Sequence, residues 1–382
     1  MIKNYVKLGD LATYINGYAF KPKDRGDTGL PIIRIQDLTG NSYDKGFYNG
    51  DDYPSKIEID NGDVLISWSA SLGVYLWNGG KALLNQHIFK VEFDKKEIDK
   101  DYFIYAVRFS LKKLRQLTHG ATMKHIVKKD FENVSIPYPS LKRQKEIAKI
   151  LKDSEDVIEN RQKEISKLDT LIKARFVEMF GDPVLNSKNY PENTLANYIN
   201  FMTSGSRGWS KYLTPKGQGW FLTIKNVKNS HISISNIQSV NPPNSKEAQR
   251  TKVREGDLLI SITADLGRTG VVNSEIASHG TYINQHLTCV RLNTKLINPI
   301  YASYFLESMA GKRQFNSKNK NGVKAGLNFE AIKSLKLIIP PIKIQNEFVS
   351  FVQQVDKSKV AIQKSLDETQ NLFDSLMQKY FS

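Results

Sequence analysis

Two stretches of the chain, residues 141–180 and 342–382, carry apolar or long side chains at steps that alternate between four and three residues. The spacing predicts two long helices, each with a coiled-coil a/d seam held for about five heptads. The seam positions are Ile147, Leu151, Ser154, Ile158, Arg161, Ile165, Leu168, Ile172, Arg175 and Met179 in the first stretch, and Phe348, Val352, Val355, Lys359, Ile362, Leu366, Thr369, Phe373, Leu376 and Tyr380 in the second. Neither helix can bury its stripe alone, so we expect each to bury the other. A long core helix or a dimer zipper are the alternatives.

Short segments of the chain occur twice in the same order, which predicts an internal repeat. The pairs are LATYIN (11–16) and LANYIN (195–200), PIIRIQDL (31–38) and more loosely WFLTIKNV (220–227), GDVLIS (62–67) and GDLLIS (256–261), NQH (85–87 and 284–286), and PSLKRQKEI (139–147) and PPIKIQNEF (340–348). The offset between the copies grows from 184 to 201 residues, so the second copy carries extra residues in several places. Loops tolerate such insertions and cores do not. Each copy is therefore expected to be one scaffold with variable loops, followed by a long helix.

Within each copy, short β-branched runs bounded by Gly, Asn and Asp predict strands. The predicted strands cover residues 31–35, 64–67, 83–93, 134–137, 219–224, 257–263 and 287–292, and the predicted domain helices cover 101–117 and 299–315. This mixture indicates an α+β fold. We place a first domain at 1–140, a central long helix at 141–180, a second domain at 181–340 and a C-terminal long helix at 341–382. Gly181, with Pro183 beyond it, is the predicted stop of the central helix.

The chain is strongly basic, with 55 Lys and Arg against 39 Asp and Glu and a net charge of +16. Such a charge favours polyanionic partners, nucleic acid before an acidic membrane surface, although a solvated basic surface is an alternative. The single cysteine, Cys289, excludes a disulfide framework and fits a reducing compartment. No apolar run approaches the roughly 18 residues of a membrane span, and the first residues lack the apolar core of a signal peptide. We therefore expect a cytoplasmic protein with no membrane partner.

The common signatures of catalysis are missing from the sequence. It contains no G-x-x-x-x-G-K-[ST] phosphate loop and no Pro-Asp dipeptide, and its six histidines do not fall at metal-ligand spacings. The segment Asn-Pro-Pro-Asn (241–244) resembles the Asn-Pro-Pro-aromatic motif of adenine methyltransferases, but Asn244 cannot stack on a flipped base. A turn is the preferred interpretation. We expect no catalytic residue and no metal site, with a stand-alone methyltransferase or nuclease, or a coiled-coil scaffold, as alternatives.

Loop-like stretches at matching points of the two copies are rich in side chains that contact DNA. Arg and Lys reach guanine, Asn and Gln reach adenine, and Ser, Thr and Lys bind phosphates. The candidate DNA-binding residues are Tyr18, Lys21, Lys23, Arg34, Gln36, Trp68, Ser69, Thr122 and Lys124 in the first copy, and Ser206, Arg207, Trp209, Lys211, Lys225, Asn226, Asp265, Arg268 and Lys324 in the second. The repeated Asn-Gln-His is interpreted as a hydrogen-bonded strand edge, with DNA-facing Gln86 and Gln285 as the alternative.

The paired Gly-Asp-[Val/Leu]-Leu-Ile-Ser and Asn-Gln-His segments, each followed by Pro-x-x-x-x-Gln-x-Glu and a long helix, resemble the specificity subunit of Type I restriction–modification enzymes. The FVEMFGDP junction (176–183) is similar to that family's central junction. The resemblance implies two α/β target recognition domains in tandem, separated by two long antiparallel coiled-coil helices, each domain reading one half of a bipartite DNA sequence. It implies no catalytic activity and no cofactor in this chain. Two modification subunits would use S-adenosylmethionine, and two restriction and translocation subunits would use ATP with Mg in the full complex.

Two features of the long helices suggest further roles. A rigid spacer would dictate the number of unread base pairs between the half-sites, so we expect helix length to set that spacing. Ile150, Val157 and Leu171 widen the apolar face beyond the seam, which favours a second surface for the modification subunits. Arg161 and Arg175 are expected to extend from the seam to water, with a role in docking as the alternative.

Overall fold

The computed structural model describes residues 4–40, 46–50, 52–69, 71–117, 127–319 and 326–382. The chain forms two compact units, one made of Met1–Lys163 with Ile362–Ser382 and the other of Glu164–Ala361. Each unit thus contains one repeat copy together with one half of each long helix. The predicted helices at 141–180 and 342–382 are continuous, each running for 40 residues.

The described residues form ten α-helices, of which two are long. In chain order they are α1 (Ile35–Leu38), α2 (Lys100–Leu117), α3 (Lys128–Glu132), α4 (Leu141–Phe180), α5 (Lys246–Thr251), α6 (Ser274–Ser278), α7 (Pro299–Glu307), α8 (Met309–Lys318), α9 (Phe329–Lys333) and α10 (Ile342–Phe381). The predicted helix at 299–315 is broken at Ser308, whose ψ of 171° is extended. Because of this break, Gly311 packs directly against the backbone of Leu306. A Cβ added at Gly311 would lie 2.1 Å from the Leu306 carbonyl oxygen.

The strands of the first unit form one four-stranded sheet, one five-stranded sheet and a short pair. The strands are β1 (Tyr5–Lys7), β2 (Thr13–Asn16), β3 (Arg25–Gly26), β4 (Leu30–Ile33), β5 (Phe47–Tyr48), β6 (Glu58–Ile59), β7 (Val64–Ser67), β8 (Gly73–Leu76), β9 (Ala82–Leu84), β10 (Ile88–Glu92) and β11 (Ser135–Pro137). The four-stranded order is β2-β10-β7-β8, all antiparallel, and β4 pairs with β9 in parallel within the order β3-β5-β4-β9-β6. Strand β1 pairs with β11.

The second unit repeats the four-stranded sheet and the short pair of the first unit, but it has a three-stranded and a two-stranded sheet where the first unit has a five-stranded one. Its strands are β12 (Glu192–Thr194), β13 (Ile199–Ser204), β14 (Gly219–Leu222), β15 (Val227–Lys228), β16 (His231–Ile232), β17 (Gln238–Val240), β18 (Leu258–Ser261), β19 (Thr269–Val271), β20 (Tyr282–Ile283), β21 (Leu287–Leu292) and β22 (Lys336–Ile338). The order β13-β21-β18-β19 matches β2-β10-β7-β8, the parallel pair β14 and β20 matches β4 and β9, and β12 with β22 matches β1 with β11. The internal repeat that the sequence predicts is therefore a repeat of the four-stranded sheet, of the parallel strand pair and of the short terminal pair.

The prediction of one strand over 83–93 is wrong, because Asn-Gln-His separates β9 from β10. His87 adopts a φ of +74°, a left-handed conformation that cannot continue a strand. The chain turns here, so that β9 belongs to the five-stranded sheet and β10 to the four-stranded one.

The predicted seams of α4 and α10 are confirmed, because none of their positions is exposed. In the second unit the helices run antiparallel: Phe176 and Phe180 pack on Phe348 with ring centroids 5.3 and 5.4 Å apart, whereas Lys359, further along α10, binds Asp169, earlier in α4, at 2.5 Å. These aromatic rings belong to the core of that unit.

The repeated Pro-x-x-x-x-Gln motif fastens each domain to the start of its long helix. Buried Gln144 accepts from the Asp99 amide (2.9 Å) and donates to the Pro139 carbonyl (2.9 Å). Gln345 makes the equivalent bonds in the second unit, to the Asn298 amide (2.8 Å) and to the Pro340 carbonyl (2.8 Å). A buried amide side chain that bridges two backbone groups explains why Gln stands at this place in both copies.

The repeated Gly-Asp motif is a turn joined to the neighbouring strand by an ion pair. Gly62 and Gly256 have φ of +88° and +80°, a region that glycine enters without strain. Asp257, which is fully buried, binds Arg291 of β21 through two contacts of 2.7 Å. The equivalent Asp63 lies 3.4 Å from Lys90. The motif is therefore structural in both copies.

Candidate nucleic-acid interface

In the first unit, three chain segments meet where β2, β4 and β9 end. The Tyr18 amide donates to the Leu84 carbonyl (2.8 Å), and the Gln86 amide donates to the Tyr18 carbonyl (2.9 Å). The Asn85 amide donates to the Ile33 carbonyl at 3.0 Å. This edge therefore brings Tyr18, the Asn-Gln-His turn and the residue after Ile33, which is Arg34, close together.

Trp68, which directly follows β7, packs against the same edge. Its backbone amide donates to the His87 carbonyl at 3.2 Å, and the two rings lie 4.9 Å apart. The indole also stacks on Phe89, with a centroid distance of 5.7 Å. The half-buried Trp68 is thus held by packing, with a fixed orientation at the edge.

The second unit builds the same edge from equivalent residues. The Ser206 amide donates to the Ile283 carbonyl (2.8 Å), and the Gln285 amide donates to the Ser206 carbonyl (2.9 Å). The Asn284 amide donates to the Leu222 carbonyl at 3.0 Å, as Asn85 does to Ile33. The two units therefore present one backbone arrangement with different side chains.

The side chains of the second edge form a continuous polar chain. The Arg207 Nε donates to the Gln285 Oε1 at 2.7 Å, and Gln285 Nε2 lies 3.2 Å from His286 Nε2. His286 Nδ1 lies 2.8 Å from Thr263 Oγ1, and its carbonyl accepts from the Ile262 amide at 3.0 Å. The prediction of a hydrogen-bonded strand edge at Asn-Gln-His is confirmed. Because Gln285 also orients the exposed Arg207, the edge presents a preorganised guanidinium.

Gly17 and Gly205 allow the close approach that both edges need. A Cβ added at Gly17 would lie 2.1 Å from the Asn85 carbonyl oxygen, and one added at Gly205 would lie 2.1 Å from that of Asn284. Real side chains do not make such contacts, so any other residue would push the segments apart.

The candidate DNA-binding residues differ in exposure. Those exposed are Tyr18, Lys21, Lys23, Gln36, Arg207, Lys211, Lys225 and Asp265; those half-buried are Arg34, Trp68 and Arg268; those buried are Ser69, Ser206, Trp209 and Asn226. Thr122, Lys124 and Lys324 lie outside the described residues. Hydrogen bonds or ring contacts tie Tyr18, Trp68, Ser206 and Arg207 to the two edges. Arg34 directly follows Ile33, whose carbonyl binds the first edge. Lys23 and Lys211 lie on short 3₁₀ turns nearby in sequence, and Lys21 directly precedes the first of these turns.

Two of the buried candidates are part of the domain interior. Trp209 stacks on Phe221 at 5.7 Å, and its indole N–H donates to Glu247 at 3.3 Å. Ser206 Oγ bonds with Thr251 Oγ1 at 2.9 Å. The prediction that these side chains contact DNA finds no support in this geometry, because each already has its partners inside the protein.

Asn226 caps a 3₁₀ turn and is buried. Its Oδ1 accepts from the Thr223 amide (2.9 Å), and its Nδ2 donates to the Ser233 carbonyl (3.0 Å). In the first unit Asp37 has the equivalent role: it accepts from the Arg34 amide (2.7 Å) and also binds the Arg34 guanidinium (3.2 Å). A base contact by the Asn226 side chain would require breaking these hydrogen bonds.

The loops after β7 and β18 are held by matching serines. Ser67 Oγ donates to the Ser71 carbonyl, and Ser261 Oγ donates to the Asp265 carbonyl. Asp265 also forms an ion pair with Arg268, whose amide donates to Ser261 Oγ at 2.9 Å. Asp265 and Arg268 therefore partly neutralise one another.

Sequence reasoning missed a groove of about 630 Å³ beside the second edge. Its lining residues include Arg207, Gln285, Asn328 and the exposed Phe329. A groove that contains an exposed aromatic ring and an oriented guanidinium suits a nucleotide base. The sequence carried only a positional signal, since Asn328 and Phe329 closely follow the candidate residue Lys324.

The described residues contain no group of three or more His, Cys, Asp or Glu able to hold a metal ion. Burial, and then the neighbouring Asp257 carboxylate, raise the pKa of the Cys289 thiol well above its ordinary value. A thiol that stays protonated is a poor nucleophile. In the described part of the chain, no helix is long and apolar enough to cross a membrane.

The fold and the paired edges define a tandem of two copies of one α+β domain, each joined to a long helix. The chain belongs to the Type I restriction modification DNA specificity domain family, whose model matches residues 3–170 and 204–369. It is 22% identical to the Type I restriction enzyme EcoBI specificity subunit of Escherichia coli, over 98% of this chain and 85% of that one. It is 24% identical to the EcoKI specificity subunit of Escherichia coli K12, over 97% and 86% of the two chains.

Solved structures share the fold over the whole length. The chain matches the Type I restriction–modification S subunit from M. genitalium with a TM-score of 0.61 and 17% identity, over 100% of this chain and 97% of that one. It also matches a chain from work on complex assembly and conformational transition of the type I R-M system, with a TM-score of 0.56 and 16% identity, over 99% and 97%. The resemblance and the fold class predicted from the sequence are confirmed.

Proposed function

We propose that each unit reads one half of a bipartite double-stranded DNA sequence through its strand-end edge. The observation that carries this proposal is the recurrence of one backbone arrangement at Tyr18 and at Ser206, with different side chains on it, in a chain of net charge +16. A conserved backbone frame with variable side chains suits two readers of different base sequences. In the second edge, Arg207 is the residue best placed to reach guanine.

Reading two half-sites with one chain makes the second contact intramolecular. The effective concentration of the second reader near its half-site is then set by the spacer and not by bulk concentration. The long helices are the spacer in this proposal.

Catalysis resides in partner subunits. Two modification subunits supply S-adenosylmethionine chemistry, and two restriction and translocation subunits use ATP with Mg. The support within this chain is an apolar surface: Ile150, Val157 and Leu171 of α4 are 40%, 41% and 47% exposed although the seam is covered. Exposed apolar side chains that recur on one face of a helix suit a protein partner.

Binding and methyl transfer to duplex DNA test the proposal together. The purified chain is expected to bind duplex with an affinity that falls steeply as salt rises, because phosphate contacts release counterions. It is expected to transfer no methyl group from S-adenosylmethionine until modification subunits are added. Methyl transfer by the chain alone would support a stand-alone methyltransferase, and no salt-dependent duplex binding would support a protein scaffold.

A further inference from the structure

Glu155 of α4 and Asp356 of α10 occupy equivalent positions of the two long helices. The offset between them is 201 residues, the same offset that relates Pro139 to Pro340 at the helix starts. Each carboxylate binds a cationic side chain of the recognition domain in its own unit. The two bound cations differ in chemistry.

In the first unit the partner is an arginine. Arg108 of α2 binds Glu155 at 2.6 Å, and the Tyr105 hydroxyl donates to the same carboxylate at 2.8 Å. The guanidinium also lies over the Tyr105 ring, 5.2 Å from its centroid. An arginine side chain carries its charge throughout the physiological pH range.

In the second unit the partner is a histidine from the β15–β16 hairpin. His231 Nε2 lies 3.0 and 3.1 Å from the two oxygens of Asp356, and its Nδ1 lies 2.7 Å from the Asn229 carbonyl oxygen. Both ring nitrogens therefore face acceptors, which suits the doubly protonated ring. Tyr304, the counterpart of Tyr105, leaves its buried hydroxyl without a hydrogen bond.

The histidine contact continues into both long helices. Lys359 lies 3.4 Å from Asp356 and 2.5 Å from Asp169 of α4. The hairpin itself packs closely on β19, since a Cβ added at Gly270 would lie 2.7 Å from the His231 carbonyl oxygen. One chain of charged groups thus joins the hairpin, α10 and α4.

We infer that His231 is a positioning residue, whose protonation fastens the second recognition domain to α10, whereas the Arg108–Glu155 pair fastens the first domain at any physiological pH. The two domains of one chain then differ in how firmly they are held as the pH changes. The geometry assigns the difference to the type of basic residue that reaches each of the two equivalent carboxylates, an arginine of α2 in the first unit and a histidine of the β15–β16 hairpin in the second.

The surroundings of His231 fix the sign of the effect. The charged and titratable groups around it are Asp356 and Lys359 of α10, Asp169 and Lys173 of α4, Asp182 after α4, Tyr304 and Glu307 of α7, and Lys312 and Arg313 of α8. Burial lowers the pKa of His231, but the hydrogen bond to Asp356 and its charge outweigh burial, so that pKa is raised above its ordinary value of 6.5. Burial raises the pKa of Asp356, but its bond to His231 and the charges of His231 and Lys359 hold that pKa below its ordinary 3.8.

A histidine whose pKa is raised by a contact in the folded state stabilises that contact fully at pH values below its ordinary pKa. This stabilisation is lost as the pH rises through the raised pKa. An aspartate whose pKa is lowered by the contact stabilises it at pH values above the ordinary aspartate pKa, and this stabilisation is lost in acid. The contact is therefore expected to be closed at mildly acidic pH and to open as the solution becomes alkaline.

Hydrogen exchange of the full-length chain, expressed as protection factors, tests the inference. Protection of residues 227–233 is expected to fall several-fold between about pH 6 and about pH 8, while protection of residues 102–110 in the first unit stays constant. His231→Arg copies the chemistry of the first unit and should keep protection of the hairpin high at both pH values. Asp356→Asn should keep it low at both. A hairpin whose protection does not change with pH in the native chain, or changes equally in His231→Arg, would overturn the inference.

A second readout rests on the proposed function. In the complex with modification subunits, affinity for a duplex that carries the bipartite site is expected to fall several-fold more between those pH values for the native chain than for His231→Arg. Equal pH dependence of the two affinities would contradict the positioning role even if exchange follows the expected pattern. Absence of any sequence-specific affinity at either pH would contradict the proposed function instead.

Discussion

At the scale of single residues, backbone contacts decide where side chains stand at the two edges. Tyr18 and Ser206 share one pattern of bonds to the neighbouring turn, and the glycine before each allows it. The polar side chains around them divide into those that face outward, such as Arg207, and those that complete the fold, such as Asn226. Exposure and partners, more than residue type, separate the two groups.

Gly17→Ala and Gly205→Ala are expected to destabilise their units by about 1–3 kcal/mol, because the added Cβ would overlap a backbone carbonyl. Gly46→Ala is the matched control: its Cβ would meet nothing closer than 3.8 Å, so stability should change by less than about 1 kcal/mol. Urea unfolding of the three variants measures the difference. Equal stability of Gly17→Ala and Gly46→Ala would show that the edge is looser than described.

The residue roles at the edges were only partly readable in the sequence. Thr223 followed three residues later by Asn226 is the spacing of a cap, and it could have placed Asn226 inside the fold. Nothing in the sequence distinguishes Trp209, which stacks on Phe221, from a tryptophan that faces DNA, because that depends on contacts between distant segments.

At the scale of elements, the long helices were predictable because their periodicity is local and repeats many times. α4 ends at Phe180, as expected, and Gly181 follows with a φ of +78°. The helix break at Ser308 was not predictable from the sequence, because it is accompanied by the packing of Gly311 on Leu306, which only the structure shows. The residues of Asn-Gln-His carried no clear signal for a turn that separates two sheets.

Ile172 and Ile150 offer a matched pair of isoleucines on α4. Ile172 is 1% exposed and Ile150 is 40% exposed. Ile172→Ala is expected to cost about 2–5 kcal/mol of stability through the cavity it leaves, and Ile150→Ala less than about 0.5 kcal/mol.

Thermal unfolding together with pull-down of modification subunits measures both consequences. Ile150→Ala should keep the unfolding temperature and weaken the binding of modification subunits, since its side chain belongs to the proposed docking surface. Unchanged binding by Ile150→Ala, with binding lost only when the chain unfolds, would argue against that surface.

At the scale of the whole molecule, duplication supplies two domains that share the four-stranded sheet, the parallel strand pair and the short terminal pair, and whose loops have diverged. Offsets of 184 residues at the first motif and 201 at the last mark where the second copy gained length. The matched bonds at Gln144 and Gln345 show that the attachment of domain to helix was kept while the loops changed.

Removing one heptad from both long helices is expected to shorten the spacer of the recognised sequence and to leave its half-sites unchanged. Seven residues of helix correspond to roughly 10 Å, which is about three base pairs of axial rise. Methylation patterns of cells that carry the shortened chain report the spacer. Altered half-sites with an unchanged spacer would show that the helices do not set it.

The most direct test of two readers on one chain is single-molecule methylome sequencing of cells that carry this gene with its neighbours, compared for the native chain and Arg207→Ala. We predict a bipartite methylated sequence for the native chain and, for Arg207→Ala, relaxed base preference within one half-site only. A continuous site, or a variant that alters both halves together, would contradict the account.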